Sequence, residues 1–120
     1  MRRIFYIATP INARAEATFK EKLAAARKRI EKLSADIRKV FPDCKVTSTF
    51  DINPDGVYTE EEAMGRCITL VLESTTVLLD RGWEKSKGCT LENHAAVVYH
   101  KETLTVDMLE EIINYVESQR

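Results

Sequence analysis

Apolar residues in this chain follow two patterns, short runs and long stripes with helical spacing. The short runs are rich in β-branched and aromatic residues and predict strands at residues 3–8, 45–50, 76–79 and 103–105. The stripes predict helices over residues 13–40, 59–73 and 88–99, and a last helix that begins at Thr105 or Asp107. Strand and helix therefore alternate along the whole chain.

This alternation predicts a single α/β domain over residues 1–120. Its sheet should be mostly parallel, with four to five strands, right-handed crossovers and helices on both faces. We expect the first and third strands to be neighbours. The loops at residues 9–12 and 80–88 would then flank one crevice at the carboxyl ends of the strands, where open α/β sheets bind ligands.

The first predicted helix is unusually long for a small domain. Its apolar stripe recurs at alternating four- and three-residue steps: Phe19, Leu23, Ala26, Ile30, Leu33, Ile37 and Val40. We expect the first half to pack on the sheet and the second half to extend past its edge and contact another subunit. This pattern predicts a homo-oligomer.

Composition narrows the function classes. Hydrophobic residues make up 44% of the chain, charged residues 31%, and the formal net charge is −1, so nothing indicates a nucleic-acid partner. No apolar run reaches the ~20 residues of a membrane span, and the first residues do not resemble a signal peptide. The three cysteines and two histidines have no metal-ligand spacing, and the thiols are typical of a reduced, cytoplasmic protein.

Glu92 is the first candidate for chemistry. It lies near the predicted start of the third helix, where unpaired N–H groups and the helix dipole would keep a carboxylate ionised. An ionised carboxylate in a crevice can attack an acetal-like carbon, as in glycosyl transfer through a covalent ester. The alternative is that Glu92 only complements the helix dipole.

The loop before Glu92 has the features of an anion site. Ser86 and Gly88 precede the helix, so a hydroxyl and exposed N–H groups could bind phosphate, or Ser86 could simply cap the helix. Trp83 could stack on a base or cover the edge of the core. Lys85 and Lys87 could attract an anion or only face solvent.

Two further residues lie at strand ends that should face the crevice. Tyr6 is near the end of the first strand, where its hydroxyl could reach a ligand or its ring could belong to the core. Asp80 follows the third strand directly, a position that often faces ligand.

Three motifs carry a family resemblance. They are Tyr6-Ile7-Ala8-Thr9-Pro10-Ile11, Phe50-Asp51-Ile52-Asn53-Pro54, and Gly82-Trp83-Glu84-Lys85-Ser86-Lys87-Gly88-Cys89-Thr90-Leu91-Glu92. They resemble a family of short, uncharacterised bacterial and phage proteins with a G-W-x-x-S-x-G-x-x-x-E signature. That family is similar in turn to the nucleoside 2-deoxyribosyltransferases and the 2′-deoxynucleoside 5′-phosphate N-hydrolases.

The resemblance implies a flavodoxin-like α/β sandwich, commonly a homodimer or larger, that acts on a nucleoside or nucleotide and needs no cofactor. Glu92 would attack C1′ of a deoxyribose, Ser86 would bind the 5′-phosphate, and Tyr6 would hold the glutamate. The rest of the implied substrate site is Thr9, Pro10, Ile11, Trp83 and Gly88.

The chain departs from the family pattern at two places in the implied site. Cys67 stands where the family usually has an aspartate, and Asp80, in a different element, is the candidate to replace that carboxylate. The loop Ala8-Thr9-Pro10 lacks the glycine of the usual S-G-P. Two functions therefore stay open: a deoxyribosyltransferase or N-glycosidase, and a non-catalytic nucleotide-binding or oligomeric assembly protein.

Overall fold

A four-stranded, all-parallel sheet forms the centre of the protein. The computed structural model describes residues 2–11, 19–52 and 59–120. The strands are β1 (Ile4–Ala8), β2 (Lys45–Thr47), β3 (Thr76–Leu79) and β4 (Glu102–Thr105), in the order β2-β1-β3-β4. The predicted pairing of the first and third strands is confirmed, with Tyr6 opposite Val77 and Ala8 opposite Leu79.

Within the described ranges, four α-helices cover the two faces of the sheet. They are α1 (Phe19–Val40), α2 (Glu60–Glu73), α3 (Lys87–Val98) and α4 (Val106–Ser118). Side chains alternate across a strand, so Phe5 and Ile7 of β1 pack with α1 and α4, whereas Tyr6 and Ala8 pack with α2 and α3. The predicted α/β, flavodoxin-like sandwich is therefore confirmed, with four strands.

The second half of helix α1 packs on the sheet, whereas the prediction assigned this role to the first half. Ile30, Leu33 and Ile37 of its second half are buried in the core with Phe5 and Leu78. In its first half Ala26 is buried, but most other described side chains are half-buried or exposed. The stripe spacing was right, but it could not show which half lies over the sheet. The predicted residues 13–18 of this helix lie outside the described part of the chain.

Strand β2 is shorter than predicted because a local capping motif ends it. Ser48 Oγ accepts from the Phe50 backbone N–H at 3.2 Å, and Asp51 Oδ2 accepts from the Ser48 N–H at 2.6 Å. This reciprocal pair forms a capping box and starts a short 3-10 helix at Thr49–Asp51. The alternating pattern had assigned these positions to the strand.

Helix α3 has well-defined ends. Ser86 caps its start, and its Oγ accepts from the Cys89 N–H at 3.3 Å. At its end, Lys101 N–H donates to Ala96 O at 2.8 Å and His100 N–H donates to Val97 O at 3.2 Å. This is a Schellman motif, and His100 takes the left-handed conformation (φ 56°) that glycine usually adopts there.

Two further predictions concern a membrane span and an assembly of subunits. No helix within the described ranges is long and apolar enough to cross a membrane. The predicted homo-oligomer stays a prediction. Its original reason is removed, because the second half of α1 contacts the core of its own chain.

Candidate functional site

A cavity of about 630 Å³ lies at the carboxyl ends of β1 and β2 and beside the start of α3. Ligand cavities commonly measure about 300–1,000 Å³, so a nucleotide-sized molecule fits this volume. The loop before α3 and α3 itself contribute Lys85, Ser86, Lys87, Gly88, Cys89 and Glu92. The facing wall comes from β1 and the loop after it, with Tyr6, Ile7, Thr9 and Ile11.

Glu92 and Tyr6 form a buried hydrogen-bonded pair in this cavity. The Tyr6 hydroxyl donates to Glu92 Oε2, and the two residues are 1% and 5% exposed respectively. Burial raises the pKa of Tyr6 well above its ordinary value, and the neighbouring Glu92 adds to that rise. Tyr6 therefore stays protonated and is a permanent donor to the carboxyl group.

The protonation of Glu92 differs from the sequence prediction. Glu92 lies in the second turn of α3, beyond the first turn where the dipole and free N–H groups act. Burial raises the pKa of Glu92 to about 7, against the hydrogen bonds from Tyr6 and Cys67, which lower it. The expectation that the helix start keeps Glu92 firmly ionised is therefore wrong. At neutral pH the carboxyl group is divided between its two forms.

Two thiols share the cavity with Glu92. Burial raises the pKa of Cys67, and it raises that of Cys89 to about 12, so both thiols are protonated at neutral pH. The thiolate is the nucleophilic form of cysteine. Among the described lining residues, Glu92 is consequently the side chain best suited to act as a nucleophile.

Cys67 occupies the place at which a second carboxylate was expected. Its Sγ donates to Thr49 Oγ1 at 3.4 Å, and the thiol also lies within hydrogen-bonding reach of Tyr6 and Glu92. Glu92 is the only acidic side chain among the described residues that line the cavity. The usual pair of carboxylates for glycosyl chemistry is therefore incomplete here.

The start of α3 forms a cationic wall. Lys85 and Lys87 are exposed and Lys22 of α1 is half-buried, and all three line the cavity. Within the described ranges, none of the three forms an ion pair. Ser86 caps α3, as the structural interpretation expected, but a hydroxyl can accept one hydrogen bond and donate another. Capping and anion binding are therefore compatible at Ser86.

Gly88 leaves space in the cavity that a larger residue would fill. A Cβ at this position would meet Met64 Sδ at 3.6 Å and Ser86 Oγ at 4.0 Å, both ordinary contact distances. The protein itself therefore tolerates alanine at this position. The absent methyl group widens the cavity between Ser86 and α2.

The remaining predicted substrate residues are divided among three environments. Thr9 and Ile11 line the cavity, as predicted, whereas Pro10 lines only a neighbouring one. Trp83 is half-buried, packs on the core beside α3 and is not among the lining residues of either cavity. This placement matches the interpretation of Trp83 as a cover for the core edge.

Asp80 lies in the neighbouring cavity, which measures about 420 Å³. Its buried carboxylate accepts from the Arg29 guanidinium, from Thr9 Oγ1 at 3.2 Å and from the Arg81 backbone N–H at 2.8 Å. The structure therefore brings Asp80 together with Thr9 but not into the wall of the Glu92 cavity. Its suggested role as a replacement carboxylate stays a prediction without support from this placement.

Comparison with known families assigns the chain. A domain of unknown function, DUF4406, matches residues 3–105, which include every strand, the Tyr6–Glu92 pair and the loop before α3. The chain belongs to the DUF4406 family. A comparison with curated proteins gave no match. The family name states no activity, so function has to be argued from the site of this DUF4406 protein.

Several lining residues of the DUF4406 cavity were not predicted to belong to a site. They come from α1, from the 3-10 helix and from the start of α2: Lys22, Leu23, Thr49, Phe50, Ala63 and Met64. The first half of α1 was assigned to packing, and Thr49 and Phe50 were assigned to a strand. The recognisable signal was the position of Thr49 and Phe50 just after a parallel strand, where ligand-facing residues are expected.

Proposed function

We propose that this DUF4406 protein cleaves or transfers the N-glycosidic bond of a deoxynucleoside 5′-monophosphate or deoxynucleoside. The observation that carries the proposal is the buried Glu92 carboxyl, held by Tyr6 inside a nucleotide-sized cavity with a cationic wall. The likeness of the loop before Glu92 to the deoxyribosyltransferase signature supports the same assignment.

In the first step, an ionised Glu92 oxygen attacks C1′ of the deoxyribose. A C1′–O ester bond forms, and the C1′–N bond breaks with its electron pair leaving on the base. Tyr6 keeps the carboxyl group in one orientation and stabilises its charged form by donating a hydrogen bond. The departing base takes up one proton from solvent, and the acceptor gives one up to solvent in the second step.

In the second step, an acceptor attacks C1′ of the ester from the opposite face and releases Glu92. With water as the acceptor the product is a free sugar or sugar phosphate, and with a second base it is a new nucleoside. Both outcomes share the first step, so the same Glu92 geometry serves hydrolysis and transfer.

The phosphate end of the substrate fits the start of α3. Lys85 and Lys87 carry positive charge, Ser86 has a hydroxyl that can donate, and the first N–H groups of a helix favour anions. We assign the 5′-phosphate to this wall. Substrates with a 5′-phosphate are expected to bind more tightly than the corresponding nucleosides.

A panel of deoxynucleosides and deoxynucleoside monophosphates tests the proposal. Free base, measured by liquid chromatography, should appear with at least one substrate and should vanish in Glu92→Gln. Glu84→Gln is the matched control, because it removes an exposed carboxylate from the same loop and should leave base release unchanged. Absence of base release across the whole panel would rule out the enzymatic proposal.

One observation favours a second function, nucleotide binding without turnover. Cys67 replaces the expected aspartate, and Glu92 is the only carboxylate among the described lining residues, so none of those side chains is a strong acid for the departing base. This alternative predicts that monophosphates raise the melting temperature without any base release. Cys67→Asp should then gain base release if the missing carboxylate alone limits turnover.

A further inference from the structure

The second cavity has a cationic lining that the proposed reaction does not use. Lys22, Arg29 and Arg81 line it together with one carboxylate, Asp80. Arg81 is occupied elsewhere, because its Nη2 donates to Asp107 at 2.9 Å and to Glu110 at 3.0 Å. Arg29 and Lys22 are therefore the cations that can serve a ligand in this cavity.

Asp80 holds the Arg29 guanidinium in one orientation. Arg29 Nε donates to both carboxylate oxygens at 3.2 and 3.0 Å, and Nη2 donates to Oδ1 at 2.9 Å. Asp80 is itself fixed by Thr9 Oγ1 and the Arg81 N–H. A guanidinium with its orientation already set loses little conformational entropy when it binds an anion.

Arg29 keeps donors that Asp80 does not use. A guanidinium has five N–H groups, and the pair with Asp80 occupies only those on the Nε and Nη2 side. The side chain of Arg29 is 29% exposed, while that of Asp80 is 5% exposed. A role in joining α1 to β3 explains the ion pair but does not account for the donors on Nη1 of a side chain that lines a cavity.

The two cavities are neighbours. Thr9 and Lys22 line both of them, so a molecule that extends past these two residues enters the second cavity from the first. Lys22 makes no ion pair with any described residue and lies between the Glu92 cavity and Arg29. A flexible anionic chain is the chemical group that suits this path, because a lysine and then an arginine follow one another along it.

We propose that the second cavity is a phosphate subsite, in which Arg29 and Lys22 bind a second phosphate of the nucleotide whose sugar lies at Glu92. This inference rests on the proposed function and adds to its substrates the deoxynucleotides that carry a second phosphate. Arg29 is the residue that distinguishes such a ligand from a monophosphate.

Calorimetric titration of the Glu92→Gln protein, which blocks turnover, tests the subsite. The ligands are a deoxynucleoside monophosphate, the matching di- and triphosphates, and the matching 3′,5′-bisphosphate. We expect at least one ligand with a second phosphate to bind about tenfold more tightly than the monophosphate. Which ligand gains affinity identifies the position of the second phosphate.

Adding Arg29→Gln and Asp80→Asn together to the Glu92→Gln protein removes both charges of the ion pair. The two neutral side chains can still hydrogen-bond to each other. The double change avoids leaving Asp80 buried without a partner. It should abolish the gain from the second phosphate and alter monophosphate affinity by less than about twofold. Lys28→Gln is the matched control, an exposed cation one residue away that does not line the cavity and should change nothing.

Equal affinity for all four ligands would overturn the inference, as would a gain that survives the neutral pair. If the double variant does not fold, Lys22→Gln replaces it and should reduce the gain. If no nucleotide binds at all, the proposed function fails. A titration with inorganic triphosphate then tests the subsite separately. Binding that depends on Arg29 or Lys22 would support the subsite, and any other result would contradict it.

Discussion

Replacing Glu92 with glutamine removes one titrating group from the protein interior while keeping nearly the same shape. The glutamine carbonyl can still accept the hydrogen bond from Tyr6. The folded protein raises the pKa of Glu92 from 4.5 to about 7, so the folded state holds a proton that the unfolded state has already lost between these values. The stability that Glu92 contributes is complete below pH 4.5 and is lost as the pH rises through about 7.

The size of this effect follows from the two pKa values. Each tenfold change in proton affinity corresponds to 1.36 kcal/mol, so the shift of Glu92 costs the folded state roughly 3 kcal/mol above pH 8. Glutamine does not titrate and avoids this cost. The free energy of unfolding of Glu92→Gln relative to the natural chain should therefore rise by roughly 3 kcal/mol between pH 4 and pH 8.

Urea denaturation of both proteins at a series of pH values measures this difference directly. Only the pH-dependent part matters, because a constant offset between the variants can come from packing or hydrogen bonding. Glu84→Gln, which removes an exposed carboxylate in the loop before α3, is the control. Its free energy of unfolding should depend on pH in the same way as that of the natural chain. Parallel profiles for Glu92→Gln would show that Glu92 has an ordinary pKa and would refute the burial argument.

Further predictions concern the same site and the end of α3. If the protein releases base, kcat/KM should increase with pH and level off above about 7, because only ionised Glu92 attacks C1′. Tyr6→Phe should lower kcat and cost about 1–3 kcal/mol in a urea titration, because a buried acceptor loses its donor. Gly88→Ala should leave the melting temperature unchanged or slightly higher but weaken nucleotide binding in a titration, because the methyl group enters the cavity. His100→Gly should raise the free energy of unfolding by about 0.5–1 kcal/mol, because it relieves the left-handed conformation; a loss of stability would contradict this explanation.

The fold could be predicted from the sequence because its strands are short and strongly apolar. Strand β3 (Thr76–Leu79) matches its predicted bounds, since all four residues are buried and the apolar run is continuous. Strand β2 was predicted too long because Ser48 and Asp51 favour local hydrogen bonds over pairing. The apolar pattern alone does not show when a local hydrogen bond is more favourable than strand pairing.

Only part of the candidate site could be predicted from the sequence. Ser86, Gly88 and Glu92 of the signature before α3 line one cavity, and Thr9, which the strand-end argument named, lines it too. The pKa of Glu92 was misjudged because a helix start was assumed where burial dominates. The ion pair of Arg29 with Asp80 joins residues far apart in the chain, and no spacing rule predicts it.

The uneven packing of α1 has a consequence for local unfolding. Its second half is anchored by Ile30, Leu33 and Ile37, whereas the side chains described in the first half, which carries Lys22 and Arg29, bury little apolar surface. Amide hydrogens in the first half should therefore exchange with solvent well before those in the second half. A ligand that bridges the two cavities would slow exchange selectively in the first half, so exchange rates along this one helix would report when both cavities are occupied.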